Sequence, residues 1–316
     1  MEFHHEPVML GECIEGLNIK PEGIYVDCTV GGAGHSSEII KRLTDGGRLI
    51  AVDKDEDALL AAGERLRDYK NQVTFLHDDF KNLVSDLDVI GVKGVDGILV
   101  DLGVSSYQLD NAERGFSYMK DAPLDMRMDR SQYLTAFNIV NEYSAGEIAK
   151  ILFDYGEEKL SRRIAENIVR IRQKETIATT LQLAKIVEDS YPTSTRFKYG
   201  HPAKRTFQAI RIAVNDELGT LKESIKQMAQ RLNAKGRMAV ISFHSLEDRI
   251  VKTAFKELSL NCTCPPDFPV CVCNSRRIVE AVNKKPICPN EDELARNPRS
   301  QSAKLRVIER LSDKDN

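Results

Sequence analysis

The sequence predicts an α/β fold built on a parallel sheet and interrupted by a helical domain. Three observations predict it. A short apolar run, Ile24-Tyr25-Val26-Asp27, is followed by three glycines within four positions and then by a helical pattern. Four apolar runs in succession end in acids. The β–α alternation then stops after Asp101 and resumes only at Gly236.

Taken in order, Pro7 marks an extended entry, and residues 8–17 suit a short helix. The first strand ends at Asp27. The glycine loop Gly31-Gly32-Ala33-Gly34 follows, and a helix carrying Ile39, Ile40 and Leu43 leaves it. Glycine tolerates positive φ and lets a backbone approach a ligand closely. Asp45-Gly46-Gly47 is a turn. Residues 48–53 form a second buried strand ending in Asp53, with a helix over 57–69 behind it. Residues 73–80 and 97–101 are the third and fourth strands, ending in Asp78/Asp79 and Asp101.

Beyond Asp101 the chain reads as helices and loops. Ser144 and Glu147 have the spacing of a capping box. Leu160, Ile164, Ile168 and Ile171 form an apolar stripe. Residues 180–190 and 204–218 are further helices. A fifth strand over 236–243 and a helix over 246–258 return to the α/β pattern. Residues 303–310 alternate like a strand with one face in solvent. The expected division is residues 1–110 and 216–316 as one discontinuous α/β domain, with residues 111–215 as an inserted helical substrate-binding domain.

Composition narrows the function. The chain has 316 residues and a net charge of −3, with no apolar run long enough to span a membrane. The first residues lack a signal-peptide pattern, so a cytoplasmic location is expected. Residues 111–215 carry 17 Lys and Arg against 13 Asp and Glu, and residues 159–211 carry 12 against four. That asymmetry suits a polyanion partner, and equally a solvated helical surface. Seven cysteines without a leader do not read as a disulfide framework.

The strand-end acids select the cofactor. In doubly wound sheets, ligands bind at the carboxyl ends of the strands. Four acids there oppose a pyrophosphate but suit a ligand with hydroxyls, an amine and a positive centre. The loop also lacks the third glycine of a dinucleotide fingerprint. Both points favour S-adenosylmethionine over NAD. Asp53 lies 19 residues beyond Gly34, where a carboxylate can accept hydrogen bonds from two ribose hydroxyls.

Several blocks then carry a family resemblance. They are His5-Glu6-Pro7-Val8-Met9, the run from Asp27 to Ser36, Asp53-Lys54-Asp55, Asp101-Leu102-Gly103-Val104-Ser105-Ser106 and Arg114-Gly115-Phe116-Ser117. Residues 123–128, 203–211 and 241–249 continue the series, with a weaker match over 297–306. The chain resembles the bacterial ribosomal RNA small subunit methyltransferase H family (RsmH/MraW), which methylates N4 of a cytidine in the decoding region of 16S rRNA. The resemblance implies a Rossmann-like class I S-adenosylmethionine-dependent methyltransferase domain with an inserted helical domain. It also implies 16S rRNA, in the small ribosomal subunit, as the partner.

It further implies a cofactor site. Ala33, Gly34 and His35 would line the methionine end and Asp53 would hold the ribose. Phe80 would contact the adenine region, and Asp101 and Gln108 would complete the pocket. Plain structural readings stand beside these: Asp53 as a helix cap, His35 as a cap or second-layer hydrogen bond, Phe80 as a core aromatic, Gln108 as a solvated loop residue.

Asp101 is the candidate catalytic group, as acceptor for the N4 amine. The Asp/Asn-Pro-Pro-aromatic pattern common among exocyclic-amine methyltransferases is absent here, where Asp101-Leu102-Gly103-Val104 stands in its place. Lys204, Arg205 and Arg211 are expected at RNA phosphates, and residues 243–248 are expected to face substrate. Phe197 and Tyr199 can stack a base or pack in a core. Cys262, Cys264, Cys271 and Cys273 can bind zinc or remain reduced thiols. Two other readings remain at this stage: an NAD-dependent oxidoreductase and a non-catalytic RNA-binding factor.

Overall fold

The structure is a computed structural model that describes residues 7–44, 46–194, 196–198, 200–262, 264, 270, 273 and 276–312. Helix α1 (Leu10–Leu17) precedes β1 (Ile24–Asp27), α2 (Gly34–Ile40), β2 (Arg48–Asp53), α3 (Glu56–Arg65), β3 (Val73–His77), α4 (Leu83–Val89) and β4 (Val95–Asp101). Helices α5 (Ser106–Asp110), α6 (Ala136–Glu142), α7 (Ala145–Gly156), α8 (Ser161–Arg172), α9 (Thr180–Ser190) and α10 (Ala203–Asn215) follow. The chain continues through α11 (Leu221–Gln230), β5 (Leu232–Ser242), α12 (Ser245–Leu258), β6 (Val279–Ala281), α13 (Glu291–Arg296) and β7 (Lys304–Arg310).

The seven strands form one sheet in the order β3-β2-β1-β4-β5-β7-β6. Strands β1 to β5 are parallel, and β7 runs antiparallel between β5 and β6. The strand order reverses at β1/β4, where the two carboxyl ends open a crevice for a ligand. Side chains alternate between two faces. Val26, Ile50, Val52, Ile98, Val100 and Met238 join a core with α4, α11 and α12. Tyr25, Leu49, Ala51, Leu99 and Ile241 join a second core with α1, α2 and α3.

The chain divides into two compact units, residues 1–103 with 218–316, and residues 104–217. The expected borders were 110/111 and 215/216. Val104 and Leu109 pack against the helical core, which draws α5 into the second unit. That unit has its own apolar centre, built from Leu124, Met126, Ile139, Ile148, Leu152, Ile164, Ile168, Leu183 and Phe207. Helices α7 and α10 approach closely at Gly156, where a Cβ would lie 2.8 Å from the Arg205 carbonyl oxygen. The Ser144/Glu147 capping box forms as the spacing predicts.

β7 departs from expectation. Its alternation suggests one solvent face, yet Leu305 and Val307 enter one core and Ile308 the other. The polar position Arg306 is covered because its Nε donates to Asp248 Oδ1 on α12 at 2.7 Å. The third strand also stops earlier than predicted, at His77, and Phe80 opens a short 3-10 turn. No helix among the described residues is long and apolar enough to cross a membrane.

Candidate active site

The carboxyl ends of β1, β2 and β4 bring three acids to the sheet edge. Asp27 is 1% exposed. It accepts a hydrogen bond from Ser36 Oγ at 2.7 Å and one from the Thr29 N–H at 3.2 Å. Thr29 ties the next strand in, because its Oγ1 accepts from the Asp101 N–H at 2.8 Å. The Val30 N–H reaches the Val52 carbonyl at 3.0 Å. The loop then turns through left-handed backbone at Gly31 (φ 48°) and, unusually for a residue with a Cβ, at Ala33 (φ 56°).

Asp53 organises this loop. Its Oδ2 accepts the Gly31 N–H at 2.9 Å and its Oδ1 accepts the Asp55 N–H at 2.9 Å. Each carboxylate oxygen retains a second lone pair for a ligand hydroxyl. The helix-cap role considered for Asp53 belongs to Asp55, which accepts from the Asp57 N–H. Arg65 Nη1 holds the Gly32 carbonyl at 2.9 Å. Gly34 has a packing reason to be glycine, since a Cβ there would lie 2.6 Å from Pro7 Cγ. The buried His35 ring engages the same entry segment, with Nε2 3.0 Å from the Val8 carbonyl oxygen.

Electrostatically the site is unbalanced. Burial pushes the carboxyls of Asp27 and Asp53 up to about 6. Burial, with the charges of Asp27 and Glu247 added, raises Asp101 well above the ordinary carboxylate range. Asp101 Oδ1 is buried without a hydrogen-bond partner. Among the described residues no Lys, Arg or His pairs with Asp27, Asp53 or Asp101. The acids after β3 differ: Asp79 lies 3.5 Å from Lys54 Nζ and 3.6 Å from Lys81 Nζ. Three of the four strand ends therefore carry a buried acid with no basic partner among the described residues. An orphaned acceptor beside two more acids fits a cationic ligand that bears hydroxyls.

Phe80 is half-buried, with one side against the core that α4 and α12 share. Glu247 is a contributor that the sequence reading did not single out by itself. It is 1% exposed and accepts the N–H groups of Phe243 and His244 at 2.7 and 3.3 Å. The signal was available: His244 and Glu247 stand three apart, and they form a capping box with His in the place of the usual Ser or Thr. Asp248, expected with its neighbours to face substrate, is instead bound to Lys304 and Arg306.

The helical unit holds the remaining candidates. Gln108 is buried, and its Oε1 accepts the Ser105 N–H at 3.0 Å to close a capping box on α5. On α10, Lys204 and Arg205 are exposed, and Lys204 meets no carboxylate among the described residues. Arg211, expected at a phosphate, is paired within its own unit. The chain turns left-handed at Asp216 (φ 46°) and brings Glu217 back. Arg211 Nε and Nη2 then donate to the Glu217 carboxylate at 2.9 and 2.8 Å. Phe197 is exposed and meets His201 edge-on at 5.9 Å, so core packing does not hold it. Tyr199 and Cys271 lie outside the described residues.

A profile described as the MraW methylase family matches residues 2–311. The chain belongs to that family. Its relatives include ribosomal RNA small subunit methyltransferase H of Brevibacillus brevis, 54% identical over 311 residues, with 98% of this chain and 99% of the relative covered. The protein of the same name from Clostridioides difficile is 52% identical, with 98% and 100% covered. That from Clostridium botulinum strain Kyoto is 55% identical, with the same coverage. The α/β unit is accordingly a Rossmann-like methyltransferase fold of this family, interrupted by a helical insertion.

Proposed function

We propose that this chain transfers a methyl group from S-adenosylmethionine to N4 of a cytidine in the decoding region of 16S rRNA, in the small ribosomal subunit of the cytoplasm. The carrying observation is the set of buried acids at the ends of β1, β2 and β4 with no cation beside them among the described residues. S-adenosylmethionine supplies an electrophilic methyl group on a cationic sulfonium. Asp53 accepts from the ribose hydroxyls, while Ala33, Gly34 and His35 line the methionine end. Phe80 flanks the adenine. NAD is disfavoured, because its pyrophosphate would meet the same acids at close range.

The N4 amine is a weak nucleophile, since its lone pair is delocalised into the ring. An acceptor on its N–H favours pyramidalisation and takes the proton that methylation makes acidic. Asp101 fits both tasks. Its Oδ1 has no other partner among the described residues, and burial raises its affinity for a proton. Lys204 and Arg205 contact phosphates.

A methyl-transfer assay comparing small subunits, naked 16S rRNA and a free oligonucleotide, with the product mapped by mass spectrometry, tests this reading. Label on a cytidine N4 supports it. Label on another atom overturns it, as does calorimetry in which NAD binds and S-adenosylhomocysteine does not.

A further inference from the structure

We propose that Cys262, Cys264 and Cys273 form a zinc-binding clasp at the neck of the connection between α12 and β6. The neck is closed by two hydrogen bonds. The Ile278 N–H donates to the Leu258 carbonyl at 3.0 Å, and the Arg277 N–H donates to Asn261 Oδ1 at 3.1 Å. The three thiols lie just inside it, with their sulfurs all within 4.8 Å of one another.

The spacing is that of metal ligands. Cys262 Sγ and Cys273 Sγ are 3.8 Å apart. A disulfide needs about 2.05 Å. A tetrahedral zinc with Zn–S bonds of about 2.3 Å places its sulfurs about 3.8 Å apart. Thiolate sulfur also selects zinc over the hard cations that prefer oxygen. Three of the four positions of a structural zinc site are thereby supplied, and each thiol that enters as thiolate releases one proton.

The surroundings supply the need for a clasp. Leu260 is 38% exposed and Val270 is 69% exposed, and among the described residues of 259–278 only Ile278 packs against a core of the α/β unit. A segment with so little apolar burial gains its order from a cross-link or a metal. The other two described thiols of the α/β unit's cores behave differently. Cys13 and Cys28 are buried, and burial keeps both protonated. Cys288 is exposed and stands outside the cluster.

The test is the metal content of full-length protein purified under reducing conditions without chelator. The wild type should carry about one zinc per chain, and Cys264→Ser and Cys273→Ser should each retain less than about a tenth of it. Cys288→Ser should keep the full complement. Circular dichroism checks that each variant is folded. Cobalt substitution should give the intense visible bands of tetrahedral thiolate coordination, absent in Cys264→Ser. A wild type that holds no zinc and takes up no cobalt would overturn the clasp. So would zinc that survives both substitutions, or a Cys262–Cys273 disulfide in the reduced preparation.

Discussion

Replacing Asp27 with Asn tests whether the strand-end acids carry an uncompensated field. Burial pushes the Asp27 carboxyl up to about 6, against opposing hydrogen bonds from Ser36 and Thr29. In the unfolded chain it ionises near the ordinary aspartate value, about 3.9. The folded state therefore holds an extra proton between those two values. Stability from this group is fully present below the unfolded value and is lost as pH rises through the folded one. Linkage puts the loss at about 1.5 kcal/mol near pH 5 and about 2.8 kcal/mol near pH 7.5. Asp27→Asn cannot titrate in this range. Its altered hydrogen bonds to Ser36 and Thr29 give an offset that does not change with pH, so the diagnostic is the slope. Urea unfolding of cofactor-free protein, followed by circular dichroism across this interval, measures it. The wild type should lose about 1.3 kcal/mol more than the variant. Parallel curves would refute the reasoning, because the acids would then be ordinary solvated carboxylates with no call for a cationic ligand.

Three further outcomes are expected. Asp101→Asn should slow single-turnover methyl transfer by about 10²–10⁴-fold while donor affinity changes less than about tenfold; an unchanged rate would remove Asp101 from the chemistry. Lys204→Ala should weaken RNA binding and reduce the slope of log K against log salt by about 0.7–0.9, and an unchanged slope would place Lys204 away from phosphate. Arg211→Ala should destabilise the helical unit by about 3 kcal/mol, since Glu217, whose side chain is 8% exposed, loses its partner. Its RNA salt slope should match that of the wild type, and a reduced slope would restore Arg211 as a phosphate ligand.

Local pattern made much of this molecule readable. Residues 48–53 form β2 with the predicted bounds, and residues 180–190 form α9, because period and caps both act within a few residues. The acids after β1, β2 and β4 could be placed for the same reason. What escaped depends on contacts between distant segments. Arg306 read as a solvent-facing residue because Asp248, its partner, lies 58 positions away. The pairing of Arg211 with Glu217 was not foreseen, because nothing in Asn215-Asp216-Glu217 announces a left-handed turn at a residue other than glycine. The loop glycine at 34 suggested a close ligand, yet its tightest neighbour is the Pro7 ring. Which acids stay unpaired was likewise illegible: Asp79 and Asp101 look alike in the sequence, and only the packing gives one of them two lysines.

The position of β7 in the sheet constrains how the chain can be made and cut. The strand lies between β5 and β6, so residues 304–310 sit inside the sheet rather than at its margin. A nascent chain has every residue of the helical unit by Glu217, well before the larger unit has its full set of strands. During synthesis the insertion can thus mature first, while β1 to β5 wait with one flank open. Any truncation upstream of Lys304 removes the strand that separates β5 from water, and such a fragment should aggregate more readily than a chain that retains it.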